Sequence, residues 1–256
     1  MAHWIRFKYN NAIHIGIENN DNIDVYDGDM FNNPVKQDEF INKEDITLLN
    51  PCKPSKIIAL WNNYKTLADE KGLSKPSNPL YLNKALSCIL GQGQDILRPK
   101  FYDEAIFYEG ELGIVIGKHC KDVEPQDSKE YIFGYTCIND VTGMDIVKKA
   151  ASFDQWTRSK SFDTFGIYGP CISTDIDPMN LKVQSKLNDK IVQDYNTSDM
   201  FFNVYEIVSF LSKDMSLYPG DIIACGTNAG LGPMEHGDRI KIIVENIGEI
   251  NNTLSK

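Results

Sequence analysis

The chain has 256 residues, 42% of them hydrophobic and 24% charged, with a formal net charge of −10. That length suits one large domain or a core with a small appendage. The acidic balance argues against a nucleic-acid partner, and the lack of any run of about 18 apolar residues argues against a membrane-spanning helix.

Residues 4–27 alternate apolar and polar through WIRFKY, AIHIGI and NIDVY, with breaks at Asn10-Asn11 and around Asn19 to Asn22. This reads as a small antiparallel meander. The opening MAHWIRFKYNN lacks the layout of a signal peptide, so a cytoplasmic protein is expected. Residues 28–54 are polar and read as loop, closing at Pro51 and Pro54. A boundary is placed there, with a small N-terminal β domain over 1–50 and a larger domain over 51–256. KIIALW at 56–61 has the signal of a buried strand, and YKTLADEKG at 64–72 reads as a short helix stopped by Gly72. LSKPSNPL at 73–80 holds two prolines and reads as a connector.

From Leu80 onward strands dominate, in IFYEGELGIVIG, EYIFGYTCIND and FGIYGPCIS, with short strands near 180–184 and 189–193. Apolar spacing predicts one helix over 201–212, FFNVYEIVSFLS. A Pro219-Gly220-Asp221 turn, the strand DIIACGT, a glycine loop to Gly237-Asp238 and a closing strand RIKIIVENIG follow. Strands and helices do not alternate, so a doubly wound sheet is not expected. The predicted class is mixed, β-rich α+β. The six cysteines are scattered without a C-x-x-C pair and read as free buried thiols. His3, His14, His119 and His236 stand isolated, so no zinc site is predicted.

Three acids carry the chemistry: Glu109 and Glu111 in YEGELGIVIG, and Asp140 in GYTCINDVTG. Residues two apart on a strand share a face, while Tyr108, Leu112, Ile114 and Ile116 on the other suit a core. Two carboxylates about 5 Å apart repel by roughly 3 kcal/mol at an effective dielectric of about 20. A cation between them, or a proton on one, relieves this, and oxygen-only ligands favour Mg²⁺, Mn²⁺ or Ca²⁺. The competing reading is a solvated face of an edge strand. Gly110, Gly113 and Gly117 favour close approach of another backbone or a ligand. On spacing alone both readings stand.

Seven motifs in order give the chain a wider likeness: PSKIIALWNNY, YEGELGIVIGK, FGYTCINDVT, RSKSFDTFG followed by GPCI, VQDYNTSDM, LYPGDIIACGTNAGLGPM and GDRIKI. Over roughly 51–254 the chain resembles the fumarylacetoacetate hydrolase family, including its small acylpyruvase and 2-hydroxyhepta-2,4-diene-1,7-dioate isomerase-like members. The resemblance implies a β-roll core, a homodimer and a divalent metal, Mg²⁺ or Mn²⁺ with Ca²⁺ as a further candidate, on Glu109, Glu111 and Asp140. It implies a 2-oxo acid or β-diketo acid substrate whose keto oxygen the metal polarises toward an enolate. Lys160 matches the family's active-site lysine. Asn63, Tyr64, Gln193, Gly226 and Thr227 match substrate-side positions, and Glu70 matches the acid of a water-activating pair.

The chain departs from the family at two places. The histidine that partners the water-activating acid is replaced by Leu67, which cannot accept a proton. Where relatives often carry Arg-Asp-Leu-Gln, this chain reads Met144-Asp145-Ile146-Val147. The resemblance implies C–C bond cleavage by a hydrolase or lyase. Loss of the histidine favours decarboxylation, tautomerisation, isomerisation or hydration of the same substrate class, and a binding protein without turnover is a third reading.

Overall fold

In the computed structural model, which describes residues 1–256, strands form sheets of twelve, three and five members. The largest begins with His3–Tyr9, Ala12–Asn19, Asn22–Asp29 and Asn32–Asn42. His3–Tyr9 pairs with Gly166–Ser173, and the sheet continues through Ile132–Asp140, Gly110–Ile116 and Ile222–Ala224 to Ile57–Trp61 and Leu80–Lys84. The β-rich expectation therefore holds. No helix is long and apolar enough to cross a membrane, and all six cysteines are free and buried.

The loop reading of 28–54 is corrected. Asn32–Asn42 and Thr47–Leu49 are strands. Asn32–Asn42 lies at the end of the large sheet and buries only Ile41, so it has no apolar face to produce an alternating pattern. Register shifts in its pairing with Asn22–Asp29 break the period further. The predicted 201–212 helix spans Val204–Asp214. Asn203 accepts from the amides of Tyr205 and Glu206 while Glu206 accepts from the Asn203 amide, a capping box that sets the start. The predicted closing strand divides into Arg239–Val244 and Gly248–Ser255, paired antiparallel.

Gly110–Ile116 is an interior strand, antiparallel to Ile132–Asp140 on one side and Ile222–Ala224 on the other. Every residue of it is buried, so the edge-strand reading of the Glu-x-Glu pair fails. Strands Lys182–Leu187 and Arg239–Val244 of the five-stranded sheet pack against it. Gly110 permits this approach, since a Cβ there would stand 2.3 Å from Ser185 Oγ. Asp221 anchors the neighbouring strands: it accepts from the amides of Ser55, Lys56 and Tyr218 at 2.9, 3.1 and 2.8 Å and from the Ser55 hydroxyl at 2.6 Å. Those bonds hold Ile57–Trp61 in parallel register with Ile222–Ala224.

Candidate active site

Glu109 precedes the interior strand, Glu111 lies on it, and Asp140 ends the adjoining strand. The Asp140 amide donates to the Glu109 carbonyl at 2.9 Å, which draws the two backbones together. One carboxylate oxygen from each of Glu109, Glu111 and Asp140 lies within 4.8 Å of the others. All three residues are buried.

Two lysines enter this cluster. Lys160, the last residue of the short helix Trp156–Lys160, donates to Glu109 Oε2 at 2.9 Å, Asp140 Oδ2 at 2.6 Å and Thr142 Oγ1 at 2.8 Å. Burial would lower its pKa, but the charges of Asp140, Glu109 and Glu111 raise it above its ordinary value. Lys84 contacts Asp140 Oδ1 from the end of the Leu80–Lys84 strand and donates to the Phe165 carbonyl at 3.1 Å. Thr142 donates to Glu109 Oε1 at 2.8 Å, so both oxygens of Glu109 are tied.

Glu111 is different. Its Oε2 accepts from the Gly226 amide at 2.8 Å, while Oε1 is buried with no partner. Burial, then the Asp140 charge, pushes its carboxyl well above the usual range, against the opposing charge of Lys160. A buried acceptor left unpaired is costly. Three carboxylates face two ammonium groups, so ionised the cluster keeps an excess negative charge. An unpaired hard oxygen within an anionic, oxygen-only donor set fits a hard divalent cation.

Beside the cluster lies a chamber of about 50 Å³, walled in part by Leu67, Glu109, Met144, Trp156, Lys160 and Thr227. Leu67 therefore stands where the sequence places the lost histidine's work, and Met144 lines the same chamber. Glu70 is exposed and does not line the chamber. Asn63 and Tyr64 lie behind the wall. The Asn63 side chain donates to the Cys225 carbonyl at 2.9 Å and accepts from the Phe202 amide at 3.0 Å. Tyr64 is buried edge-on to Tyr195, ring centroids 5.0 Å apart. Gln193 accepts from the Gly110 amide at 3.0 Å and donates to Thr227 Oγ1 at 2.9 Å. It thus fixes Thr227, whose hydroxyl also donates to the Gly110 carbonyl at 2.9 Å. Gly226 meets the cluster through its amide.

The structure thus brings together Glu109, Glu111, Asp140, Lys160, Gly226 and Thr227, and leaves Glu70 outside. Lys84, Thr142 and Trp156 are functional candidates that sequence reading passed over. Thr142 follows Asp140 by two, a strand-period signal that was present. Lys84 gives no such signal, because only its partner 56 residues away reveals it as buried.

Residues 56–255 match the family model described as fumarylacetoacetate (FAA) hydrolase C-terminal, and residues 2–51 match Rv2993c-like, N-terminal. The chain belongs to the fumarylacetoacetate hydrolase family. An uncharacterized protein of Archaeoglobus fulgidus is 42% identical over 211 residues, covering 82% of this chain and 83% of that protein. Among solved structures, a 2-hydroxyhepta-2,4-diene-1,7-dioate isomerase from Mycobacterium marinum superposes with a TM-score of 0.91 at 32% identity, covering 100% of this chain and 98% of that one. A maleylpyruvate hydrolase from Sphingobium sp. SYK-6 superposes with a TM-score of 0.80 at 27% identity, covering 99% of both chains.

Proposed function

We propose that this chain is a divalent-metal-dependent enzyme that converts a 2-oxo acid or β-diketo acid through an enolate, by decarboxylation or by tautomerisation and isomerisation. The carrying observation is the makeup of the chamber wall. Its one acid is Glu109, already bound to Lys160 and Thr142, and Leu67 and Met144 complete that side.

Glu109, Glu111 and Asp140 would hold the ion, with Mg²⁺ or Mn²⁺ suited to the donor set. A bound divalent cation supplies Lewis acidity toward a keto oxygen. Lys160 presents an ammonium at the chamber wall, surrounded only by acceptors, and so acts as a donor rather than a base. Its positive charge stabilises negative charge that develops on a substrate oxygen. Thr142 holds Glu109 and Lys160 in register. Thr227, oriented by Gln193, can donate to a substrate carboxylate by turning its hydroxyl away from the Gly110 carbonyl. Leu67, Met144 and Trp156 exclude water from the reacting carbons.

Hydrolytic C–C cleavage needs a base that turns water into a nucleophile. Glu70 is exposed and does not line the chamber, and Leu67 contributes none. The similarity to the isomerase named above supports the same choice. Assembly as a homodimer belongs to this reading, and light scattering tests it.

The test is a panel of 2-oxo and 2,4-dioxo acids followed by enol absorbance and CO₂ release, with Mg²⁺ and with EDTA. Metal-dependent ketonisation or CO₂ release without acyl cleavage is expected. Rapid metal-dependent acylpyruvate hydrolysis would overturn the choice of reaction, and silence across the panel would overturn the enzyme reading.

A further inference from the structure

The helix that carries Leu67 does not hold itself in place. Lys65–Glu70 has six residues and buries only Ala68, and a helix that short is marginal without tertiary support. Tyr64 stands at its N-cap and supplies no side-chain cap. Yet Leu67, Lys71 and Leu73, on this helix and just beyond it, all line the chamber.

Side chains from two distant segments supply the missing cap. Asp199 Oδ2 accepts from the Thr66 amide at 3.0 Å, and Asn228 Oδ1 accepts from the Leu67 amide at 3.1 Å. Asn228 Nδ2 then donates to the same Asp199 Oδ2 at 2.9 Å, which closes a clamp on the helix start. Asn228 Oδ1 also accepts from the Ala229 amide at 2.8 Å. Its oxygen thus meets two N–H donors and its nitrogen a carboxylate, so only one orientation of the side chain satisfies all three. Asn228 is 2% exposed, and a buried partner lost there leaves the remaining groups unpaired.

Asn228 also ends a strip tied to the acid cluster. The Gly226 amide donates to Glu111 Oε2 at 2.8 Å. Thr227 lines the chamber and donates to the Gly110 carbonyl. Gln193 donates to the Asn228 carbonyl at 2.8 Å. Consecutive residues therefore contact a cluster acid, the chamber and the helix that bears Leu67.

We infer that Asn228 is a positioning residue: with Asp199 it seats the Lys65–Glu70 helix so that Leu67 closes the chamber in register with Glu111. Asn228 does not itself line the chamber, so it acts through Leu67. This rests on the chamber being the reaction site, as proposed above, and assigns what holds its wall.

The test compares metal-free wild type with Asn228→Ala, Asn228→Asp, and Asn228→Asp combined with Asp199→Asn. Hydrogen exchange read by mass spectrometry over residues 62–72 reports the helix, and over 110–116 the interior strand. Asn228→Ala should speed exchange over 62–72 by about tenfold, the scale of one lost hydrogen bond, and leave 110–116 unchanged. Asn228→Asp keeps an acceptor for Leu67 but sets a carboxylate against Asp199, so it should open the helix at least as far. Asp199→Asn in that background returns a donor to the pair and should recover most of the protection. Acrylamide quenching of tryptophan fluorescence should rise with the opening, because Trp61 and Trp156 line the chamber. With Mg²⁺, calorimetry should show 2,4-dioxopentanoate binding Asn228→Ala about tenfold more weakly than wild type, with affinity regained in the double variant relative to Asn228→Asp. Unchanged exchange over 62–72, equal acceleration over 110–116, or no recovery in the double variant overturns the clamp. Full ligand affinity in a variant whose helix has opened overturns the positioning role. Failure of 2,4-dioxopentanoate to bind the wild type overturns the 2-oxo acid reading and the positioning role with it, and the exchange result then decides the clamp alone.

Discussion

Lys84 grips the Oδ1 oxygen of Asp140 from the side opposite Lys160, which takes Oδ2 at 2.6 Å. Both residues of the Lys84–Asp140 pair are buried. Asp140 is thereby held below the ordinary carboxylate range, where its own burial would raise it and the charges of Lys160 and Lys84 prevail. One acid of the trio is therefore kept ionised and fixed in direction by the protein itself.

Removing Lys84 leaves a buried carboxylate with one partner fewer. Lys84→Met should cost the metal-free protein about 3–5 kcal/mol, the range for breaking a buried ion pair from one side. Mn²⁺ should then restore more stability to the variant than it adds to the wild type, because the ion supplies the missing positive charge. Thermal melts with and without Mn²⁺ read both quantities. Equal Mn²⁺ increments in the two proteins would refute a shared electrostatic role.

Glu111 predicts a pH signature in the metal-free protein. Its carboxyl lies well above the usual range because of burial and the Asp140 charge, so the folded state holds the proton more tightly than the unfolded chain does. That contribution is fully present below the unfolded value of about 4.3 and is lost as pH rises through the folded value. The metal-free wild type should therefore lose stability with rising pH more steeply than Glu111→Gln. Saturating Mg²⁺ should reduce the difference in slope. Parallel slopes for the two metal-free proteins would show that Glu111 ionises unhindered.

Much of this centre was legible in the chain, for identifiable reasons. Glu109 falls just before the strand that carries Glu111, yet the Asp140 amide on its carbonyl keeps it beside that strand, and the motif order placed Asp140 and Lys160 beside them. What the spacing left open was burial, which depends on the sheet of Lys182–Leu187 closing over Gly110. Motif position put Glu70 on a helix but did not fix which of that helix's faces turns inward, and Glu70 is exposed. Leu67, on the same turn, is the residue that faces the chamber. Asn32–Asn42 escaped because an end strand that buries one residue carries no hydrophobic period, whereas the capped Val204–Asp214 helix declared itself through its apolar face.

On the proposed reading, Leu67 sets the reaction. Leu67→His places a proton acceptor in the chamber wall, and general-base assistance contributes typically 10²–10⁴-fold. Acylpyruvate hydrolysis should rise by at least about tenfold in the variant, allowing for imperfect placement. Ketonisation should change far less. Product analysis by chromatography distinguishes acyl cleavage from enol–keto exchange. A variant with unchanged hydrolysis would detach Leu67 from the choice of chemistry.

Lys160→Met should lower kcat by about 10²–10³, the effect of deleting one donor to a developing oxyanion, while Thr142→Val should lower it less. Single-turnover kinetics on an active 2-oxo acid would separate this from altered binding. A Lys160→Met enzyme with full kcat would remove the ammonium from the reaction.

The central claim is that Glu109, Glu111 and Asp140 jointly hold one hard cation. Calorimetric titration of Mn²⁺ into metal-free protein tests it most directly, alongside Glu109→Ala, Glu111→Ala and Asp140→Ala, each first shown to be folded by circular dichroism. One ion per wild-type chain is predicted, with binding lost or weakened at least about 100-fold in each variant (about 2.7 kcal/mol). Equal Mn²⁺ affinity in the wild type and the three variants, or none in any of them, would contradict the account.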